Sequence, residues 1–497
     1  MRDAAAPAYA AIDLGATSGR VVAARLDGDR MVLDEVHRFA NRPVRLPDGL
    51  HWDVAHLFSE AVAGLRVAGP LAGVGVDTWA VDYALLDAGG RMLGLPFHYR
   101  DDRTAGRVDE AFTRVGRAEH YAATGIQTLP INTVFQLLSE PVAALAAADR
   151  IALIPDLLAY WLCGRLRNEA TNASTTGLLD AHTGRWAEAL IADLGLPPGI
   201  FGPLVEPGSE LAPLLAHHEL GAAPVYAVAS HDTASAFAAA PVADDHAAIL
   251  SSGTWSLLGL ELPAPVLGDA ARDANLTNER GIDGTTRLLK NVMGMWLLEE
   301  SRRTWAKEGH VAGYEELLAL AHSVAGPVPL FDPDHERFLP PGDIPARIAA
   351  ACRLSGQAAP PDVATTVRSI LVSLACKYRW VIECLEAVTG RDIRRIHVIG
   401  GGARNPLLCR LTADIARREV LVGPFEATAL GNALVQARAA GELGSLGDVR
   451  AVASASVRPI VDEPHSDHDD AEQTYRHFLD VTGLPAPRPT NALEKTP

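Results

Sequence analysis

The sequence predicts an α/β protein made of two similar halves, and three observations lead to that reading. Short apolar runs such as "YAAIDLG", "LAGVGVDTW", "PVYAVAS", "HAAILSSG" and "IRRIHVIGGG" alternate with longer helix-like segments, each run ending in Gly, Asp or Ser. Two stretches resemble each other. "AIDLGATSGRVVAARLDG" near the start and "ILSSGTWSLLGLEL" from Ile249 both read as strand, tight Gly/Ser/Thr turn, strand, with Gly15 falling on Gly253 and Ser18 on Ser256. The length of 497 residues with 48% hydrophobic content suffices for two or three domains with sizeable cores.

Duplicated hairpins imply duplicated domains with a cleft between them. The seam is expected at "AAPVADDHAAI", near Pro241 to His246, where small and acidic residues separate "ASHDTASAF" from the second hairpin. This gives an N-terminal domain over 1–243, a second over 244–445, and an extension over 446–497. Apolar periodicity fades after about Leu443, and the Pro-rich end "GLPAPRPTNALEKTP" is expected to fray or be disordered beyond 482.

Composition excludes several classes of function. A net charge of −17 disfavours attraction to nucleic acid or an anionic membrane. No apolar run reaches 18 residues, and the leading "MRDAAAPAYA" carries an acid and a proline where a signal peptide needs an apolar core, so a cytoplasmic protein is expected. The five cysteines are scattered without CxxC spacing, which points to reduced, buried thiols. Only four lysines occur, none preceded by Gly, so the chain has no Walker A loop and any nucleotide site is of another kind.

Taken in order, the first hairpin turn "DLGATSGR" (Asp13 to Arg20) offers backbone N–H groups, the hydroxyls of Thr17 and Ser18, and a cation, a combination that suits phosphate oxygens. An ordinary hairpin turn accounts for the same residues. "GVDTWAVDYALLD" places Asp77, Trp79 and Asp82 around a strand end, acids beside an aromatic plane as a polyhydroxy ligand requires, although a surface turn with a packed Trp would look alike. "ASHDTASAFA" puts Asp232 after an apolar run, where an acid serves as base, helix cap or metal ligand. Its Ser230-His231-Asp232 sequence is no hydrolase triad, because adjacent residues cannot adopt the relayed geometry and no G-x-S-x-G elbow exists. "LSSGTWS" makes a second phosphate cradle. In "HVIGGGARNPLL", Gly400, Gly401 and Gly402 leave bare backbone on which an adenosine could lie, with Asn405 and Pro406 as cap and first helical turn. "DEPHSDHDD" (Asp462 to Asp470) has metal-ligand residue types but reads as a solvated acidic linker.

Together "AIDLGATSGRVV", "HWDV", "GVDTWAVDYALLD", "YRDDRT", "SHDTASA", "SSGTWSLLG", "TNER" and "VIGGGARNPLL", in this order from about residue 8 to 440, resemble the FGGY carbohydrate kinases. The resemblance implies two actin-like (RNase H-like) α/β domains with ATP and sugar in the intervening cleft. It implies Asp232 as the base that takes the proton of the attacking sugar hydroxyl. Ala16, Thr17, Ser18, Gly19, Arg20 and Thr254 would face phosphates, and Gly401 the adenosine. Ala80, His231, Asp232, Thr233 and Asn291 would line the sugar, with Asp77 and Trp79 alongside. Asp13 would hold Mg²⁺ through water. Two positions depart from the family pattern: Ala80 stands where glycine is usual, and Glu299 where glutamine is common near the nucleotide. The cysteines do not reproduce the family's disulfide pairs. "DTWAVDY" favours L-rhamnulose as acceptor over L-fuculose, D-xylulose or glycerol. A non-catalytic sugar or nucleotide sensor and a chaperone-type ATPase are the alternatives from other classes. The expected protein is a monomer acting on two small molecules, ketose and ATP.

Overall fold

Seven consecutive buried residues, Ala8–Leu14, form the first strand, β1, of the computed structural model, which describes residues 7–242, 244–465 and 468–487. The run does not alternate because both faces of the strand are covered. A tight turn returns the chain as β2 (Ser18–Asp27), and β3 (Arg30–Ala40), β4 (Leu71–Thr78), β5 (Ser209–Pro213) and β6 (Pro224–Ala227) complete a sheet ordered β3-β2-β1-β4-β6-β5. β4 runs parallel to both β1 and β6, whereas β2 is antiparallel to β1. The carboxyl ends of three parallel strands therefore share one edge, the place where α/β sheets bind ligands. Asp13 and Asp77 lie at two of these ends, and the loop to Asp232 follows the third.

Chain contacts divide the protein into two compact units. The first comprises Met1–Pro241, Glu261–Leu288 and Glu426–Arg458, and the second Val242–Leu260, Leu289–Phe425 and Pro459–Pro497. In the first unit, helix Ala427–Ala439 returns from far along the sequence to pack on β1, β4 and helix Asp232–Ala238. Its Gly431 is required there, because a Cβ would lie 1.8 Å from the Ser235 carbonyl oxygen.

The second unit is built around a seven-stranded sheet in which β7 (Ala247–Ser252), β8 (Trp255–Leu262), β9 (Thr286–Met293), β10 (Arg395–Ile399), β11 (Glu419–Val422) and β12 (Ile460–Asp462) follow the order β9-β8-β7-β10-β11-β12, with the short strand Thr277–Arg280 beyond β9. β7 and β8 form an antiparallel hairpin, β7, β10 and β11 are parallel, and β12 is an antiparallel edge. Each unit thus holds a hairpin strand, then two parallel strands, then an antiparallel edge strand, which is the duplication the two similar hairpins announce. Helix Val363–Thr389 provides the longest buried face of this unit. The Asp362 side chain caps its start by accepting from Thr365 N–H at 2.7 Å, and Gly390 ends it at φ 67°.

Beyond Leu443, helix Leu446–Ser456 begins at a capping box formed by Ser445 and Asp448 and buries only Val449, Val452 and Ala453. Helix His468–Thr482 follows β12 and carries the buried Tyr475 and Phe478. Residues 488–497, where the end is expected to fray, and 466–467 of the acidic stretch lie outside the described residues. All five cysteines are free and buried. No helix among the described residues is long and apolar enough to cross a membrane.

Candidate active site

At the strand ends of the first unit, Asp13 is in register with Arg20 on β2 and with Asp77 on β4. Arg20 Nε and Nη2 donate to Asp13 Oδ2 at 2.9 and 2.6 Å, and Nη1 pairs with Glu426. The guanidinium expected to face phosphates is therefore engaged by two carboxylates and holds Asp13 in place. Gly19 answers a packing demand, since a Cβ would lie 2.4 Å from the Phe39 ring and 2.6 Å from Leu14. Three carbonyls of the turn are engaged. Ser18 O accepts from Gly15 N–H at 2.9 Å, Gly15 O from Asn41 Nδ2 at 2.9 Å, and Thr17 O from Asn41 N–H at 3.0 Å. The N–H groups of the half-buried Ala16 and the exposed Thr17 are what this turn has left for an anion.

Asp77, expected beside the sugar, is wholly buried. Its Oδ2 accepts from Asn432 Nδ2 at 2.6 Å, and Oδ1 has no hydrogen-bond partner among the described residues. Burial first, and then the negative charge of Asp13, hold its carboxyl well above the usual carboxylate range.

Asp232 opens helix Asp232–Ala238, after a loop that Thr78 N–H anchors by donating to Ser230 O at 2.9 Å. Glu169 fixes the same loop from beneath, accepting from Ser230 N–H at 3.0 Å and from the Ser230 hydroxyl at 2.7 Å. The Ser230 hydroxyl thus has no part in a triad. Three donors converge on one oxygen of Asp232: Thr233 N–H at 2.6 Å, the Thr233 hydroxyl at 3.1 Å and, when it carries the proton, His231 Nε2 at 3.3 Å. That oxygen is Oδ1. With 32% of the side chain exposed, Oδ2 is the oxygen left for an incoming hydroxyl. Burial raises the Asp232 pKa, with His231 opposing and Asp13 adding to the rise. Behind His231, Nδ1 lies 3.2 Å from Arg287 Nη2 and 3.3 Å from Glu279 Oε2, and these two groups are 3.1 Å apart. Sequence reasoning assigned no role to Glu279 or Arg287, although "TNER" contains the first.

Asp82 organises the aromatic side of the site. Its Oδ2 accepts from the indole N–H of Trp52 at 2.6 Å, the indole N–H of Trp79 at 2.9 Å and the backbone of Tyr99 at 3.2 Å, while Oδ1 accepts from Gln136 at 2.8 Å. Burial outweighs these donors and pushes its carboxyl up to about 6. Trp52 packs at 4.0 Å on both Trp79 and His98. Ala80 is half-buried in the intervening turn, where its carbonyl accepts Asp82 N–H at 3.0 Å. Val81 follows at φ 68°, a left-handed conformation unusual for a β-branched residue, with its carbonyl accepting from the Thr133 hydroxyl at 2.7 Å.

The second unit presents its own pair of turns at the carboxyl ends of β7 and β10. Gly253 N–H donates to Trp255 O at 2.8 Å and Thr254 O accepts Trp296 N–H at 3.1 Å, so the hydroxyl of the half-buried Thr254 is free of these backbone ties. Gly400 (φ 86°) and Gly402 press on β7, where a Cβ would meet Ser252 O at 2.9 Å and Ser252 Oγ at 2.2 Å respectively. Gly401 between them is exposed, with nothing within 4 Å of a Cβ, the open backbone that a flat ligand requires. Asn405 caps helix Pro406–Ala416 through Leu408 N–H at 3.0 Å. Asn291 is half-buried on β9. Glu299 lies in the first turn of helix Trp296–Lys307, 3.5 Å from Arg302.

A duplicated hairpin-and-parallel-strand sheet, with carboxylates ending the strands of one unit and glycine turns ending those of the other, is the build of a two-domain phosphotransferase. Residues 8–238 match the FGGY family of carbohydrate kinases, N-terminal domain, and residues 248–440 its C-terminal domain. The chain belongs to this family and is a carbohydrate kinase of actin-like, two-domain α/β fold. It is 40% identical over 481 residues to a rhamnulokinase from Bacteroides thetaiotaomicron, covering 95% of this chain and 98% of the other. It is 39% identical over 487 residues to a rhamnulokinase from Enterococcus faecalis, covering 96% and 98%. Among solved structures, a ligand-bound xylulose kinase from Lactobacillus acidophilus superposes with a TM-score of 0.76 at 14% identity, covering 96% and 98%, and Plasmodium falciparum glycerol kinase with ADP with 0.75 at 16%, covering 96% and 99%.

Proposed function

We propose that this carbohydrate kinase transfers the γ-phosphoryl group of ATP to the 1-hydroxyl of L-rhamnulose, with Asp232 as general base. The acceptor rests on one observation, the 40% identity to a rhamnulokinase over 95% of the chain. In this reading the sugar is bound in the first unit by the Trp79–Ala80 turn, His231 and Thr233. Asp77 belongs to the buried acid cluster beside them. The N–H groups of Ala16 and Thr17 in the first unit suit phosphate oxygens, as does the Thr254 hydroxyl in the second, where the adenosine lies on Gly401 with Glu299 nearby. The five buried thiols suit a reducing, cytoplasmic setting.

Asp232 receives the O1 proton on Oδ2 as O1 forms its bond to the γ-phosphorus and the bond to the ADP oxygen breaks. Oδ1, held by Thr233 and His231, keeps the carboxylate from rotating. Phosphoryl transfer through a loose transition state demands alignment and charge neutralisation more than a strong base, so a carboxylate of modestly raised pKa is adequate. Mg²⁺ fits the oxygen-only donors of the strand ends. Asp13, pinned by Arg20, is the side chain that would hold it through water, and among the described residues no group of three His, Cys, Asp or Glu side chains is placed to hold a metal alone. When bound it neutralises β- and γ-phosphate oxygens.

A coupled ADP-release assay over L-rhamnulose, L-fuculose, D-xylulose and glycerol tests the acceptor. The highest kcat/KM is expected with L-rhamnulose; a higher value for any of the others would reassign it.

A further inference from the structure

We propose that Arg287 and Glu279 are positioning residues that fix the tautomer of His231 and, through it, the orientation of the Asp232 carboxylate; this rests on reading Asp232 as the base. A guanidinium can only donate, so His231 Nδ1, 3.2 Å from Arg287 Nη2, is the accepting nitrogen of a neutral imidazole. Nε2 then carries the hydrogen, and it faces Asp232 Oδ1 at 3.3 Å. Glu279 Oε2 lies 3.3 Å from Nδ1 and 3.1 Å from Arg287 Nη2, so it takes the role of counter-ion to Arg287. In the opposite tautomer Nδ1–H would point to Glu279 and the Nε2 lone pair would face a carboxylate oxygen. A doubly protonated ring would bring a second cation against Arg287. The Nε2–H tautomer alone gives Arg287 an acceptor and Asp232 a donor without adding a cation, and its one unfavourable approach, Nδ1 to Glu279 Oε2, is offset by the Arg287 guanidinium 3.1 Å from that oxygen.

Burial makes the arrangement consequential. The side chains of Arg287, Glu279 and His231 are 0%, 4% and 6% exposed, so water cannot substitute for a lost partner. Arg287 is anchored separately, with Nε donating to Arg280 O at 3.0 Å and its guanidinium 5.8 Å from the Phe237 ring on the helix that Asp232 opens. A buried ion pair contributes little net stability compared with apolar residues of similar size. What it contributes here is direction. The two donors of Thr233 move with the Asp232 backbone, whereas the His231 N–H is oriented from another strand and sets which carboxylate oxygen remains open.

The test is ¹⁵N NMR of the full chain labelled at histidine, with the His231 signals assigned by their loss in His231→Gln. At neutral pH the wild-type ring is expected as the Nε2–H tautomer. In Arg287→Met that population should shift toward Nδ1–H, kcat should fall at least about tenfold with the KM for ATP unchanged, and Arg287→Lys should restore part of the rate. The titratable and charged groups facing Asp232 are His231, Arg287, Asp13 and Asp77. Removing one cation and one N–H donor raises the Asp232 pKa, so the acidic limb of kcat/KM moves to higher pH. A wild-type Nδ1–H ring, or a folded Arg287→Met with unchanged tautomer and kcat, would overturn the proposal. Should Arg287→Met fail to fold, the wild-type spectrum decides alone. Near-normal kcat in Asp232→Asn would remove the base while leaving the tautomer result standing, so the two failures are distinguishable.

Discussion

Asp82→Asn exposes a competition that the structure makes quantitative. The wild-type carboxyl titrates near 6 instead of its ordinary 3.8, because burial outweighs the donors from Gln136, Trp52, Trp79 and Tyr99. A folded-state pKa above the unfolded value stabilises the protein fully below about pH 4, and that contribution is lost as pH rises through 6. At about 1.4 kcal/mol per pH unit the loss is about 3 kcal/mol. Asparagine is uncharged at every pH, so it escapes this loss. It has its own defect: with its carbonyl kept toward Trp52, Trp79 and Tyr99, its NH₂ meets Gln136 Nε2, donor against donor, at a cost of about 1–3 kcal/mol. The variant should therefore be less stable than wild type at pH 4 by that amount and equal or more stable at pH 7. The assay is urea unfolding of both proteins at each pH, followed by tryptophan fluorescence; the other titrating groups are common to both and cancel. A deficit that widens with rising pH would refute the reasoning, because it would mean that the four donors outweigh burial.

Thr254→Val keeps shape and removes a hydroxyl, and kcat/KM for ATP should fall by an amount equivalent to about 1.5–3 kcal/mol, the worth of one hydrogen bond to a charged phosphate; steady-state kinetics at varied ATP checks it. Gly401→Ala should leave the melting temperature unchanged and raise the KM for ATP severalfold, whereas Gly402→Ala, whose Cβ would sit 2.2 Å from Ser252 Oγ, should destabilise by about 1–3 kcal/mol in thermal unfolding. Gly431→Ala drives a Cβ into the Ser235 carbonyl beneath the Asp232 helix, so a loss of about 3 kcal/mol or more, or insoluble protein, is expected on expression and melting.

What was legible in the sequence is what short-range chemistry encodes. The hairpins show because Gly15 and Gly253 each sit in a turn closed within a few residues, and the Asn405 cap shows because its acceptor reaches a residue three positions on. Arg20 was legible as a cation near a phosphate-like turn, but its partner Glu426 is 406 residues away, so its engagement was hidden. The Asn432 bond that buries Asp77 spans 355 residues and was hidden likewise. Asp82 stood in a recognised motif, yet the donor Trp52 comes from 30 residues upstream. Helix Leu446–Ser456 escaped the periodicity because it buries only three small apolar side chains, although Ser445 and Asp448 spell a capping box that could have revealed it.

The most direct measurement is the rate of phosphoryl transfer to L-rhamnulose by Asp232→Asn, with ketose binding followed by calorimetry. The substitution is nearly isosteric and keeps hydrogen-bonding groups in place, but an amide cannot take the proton. A fall in kcat of roughly 10²–10⁴-fold with ketose affinity largely retained is expected of a positioned general base. Asparagine starts helices as well as aspartate, so a capping role would leave rate and melting temperature intact, and a metal-ligand role would let added Mg²⁺ restore the rate. A variant that phosphorylates L-rhamnulose at a near-normal rate would contradict the central claim.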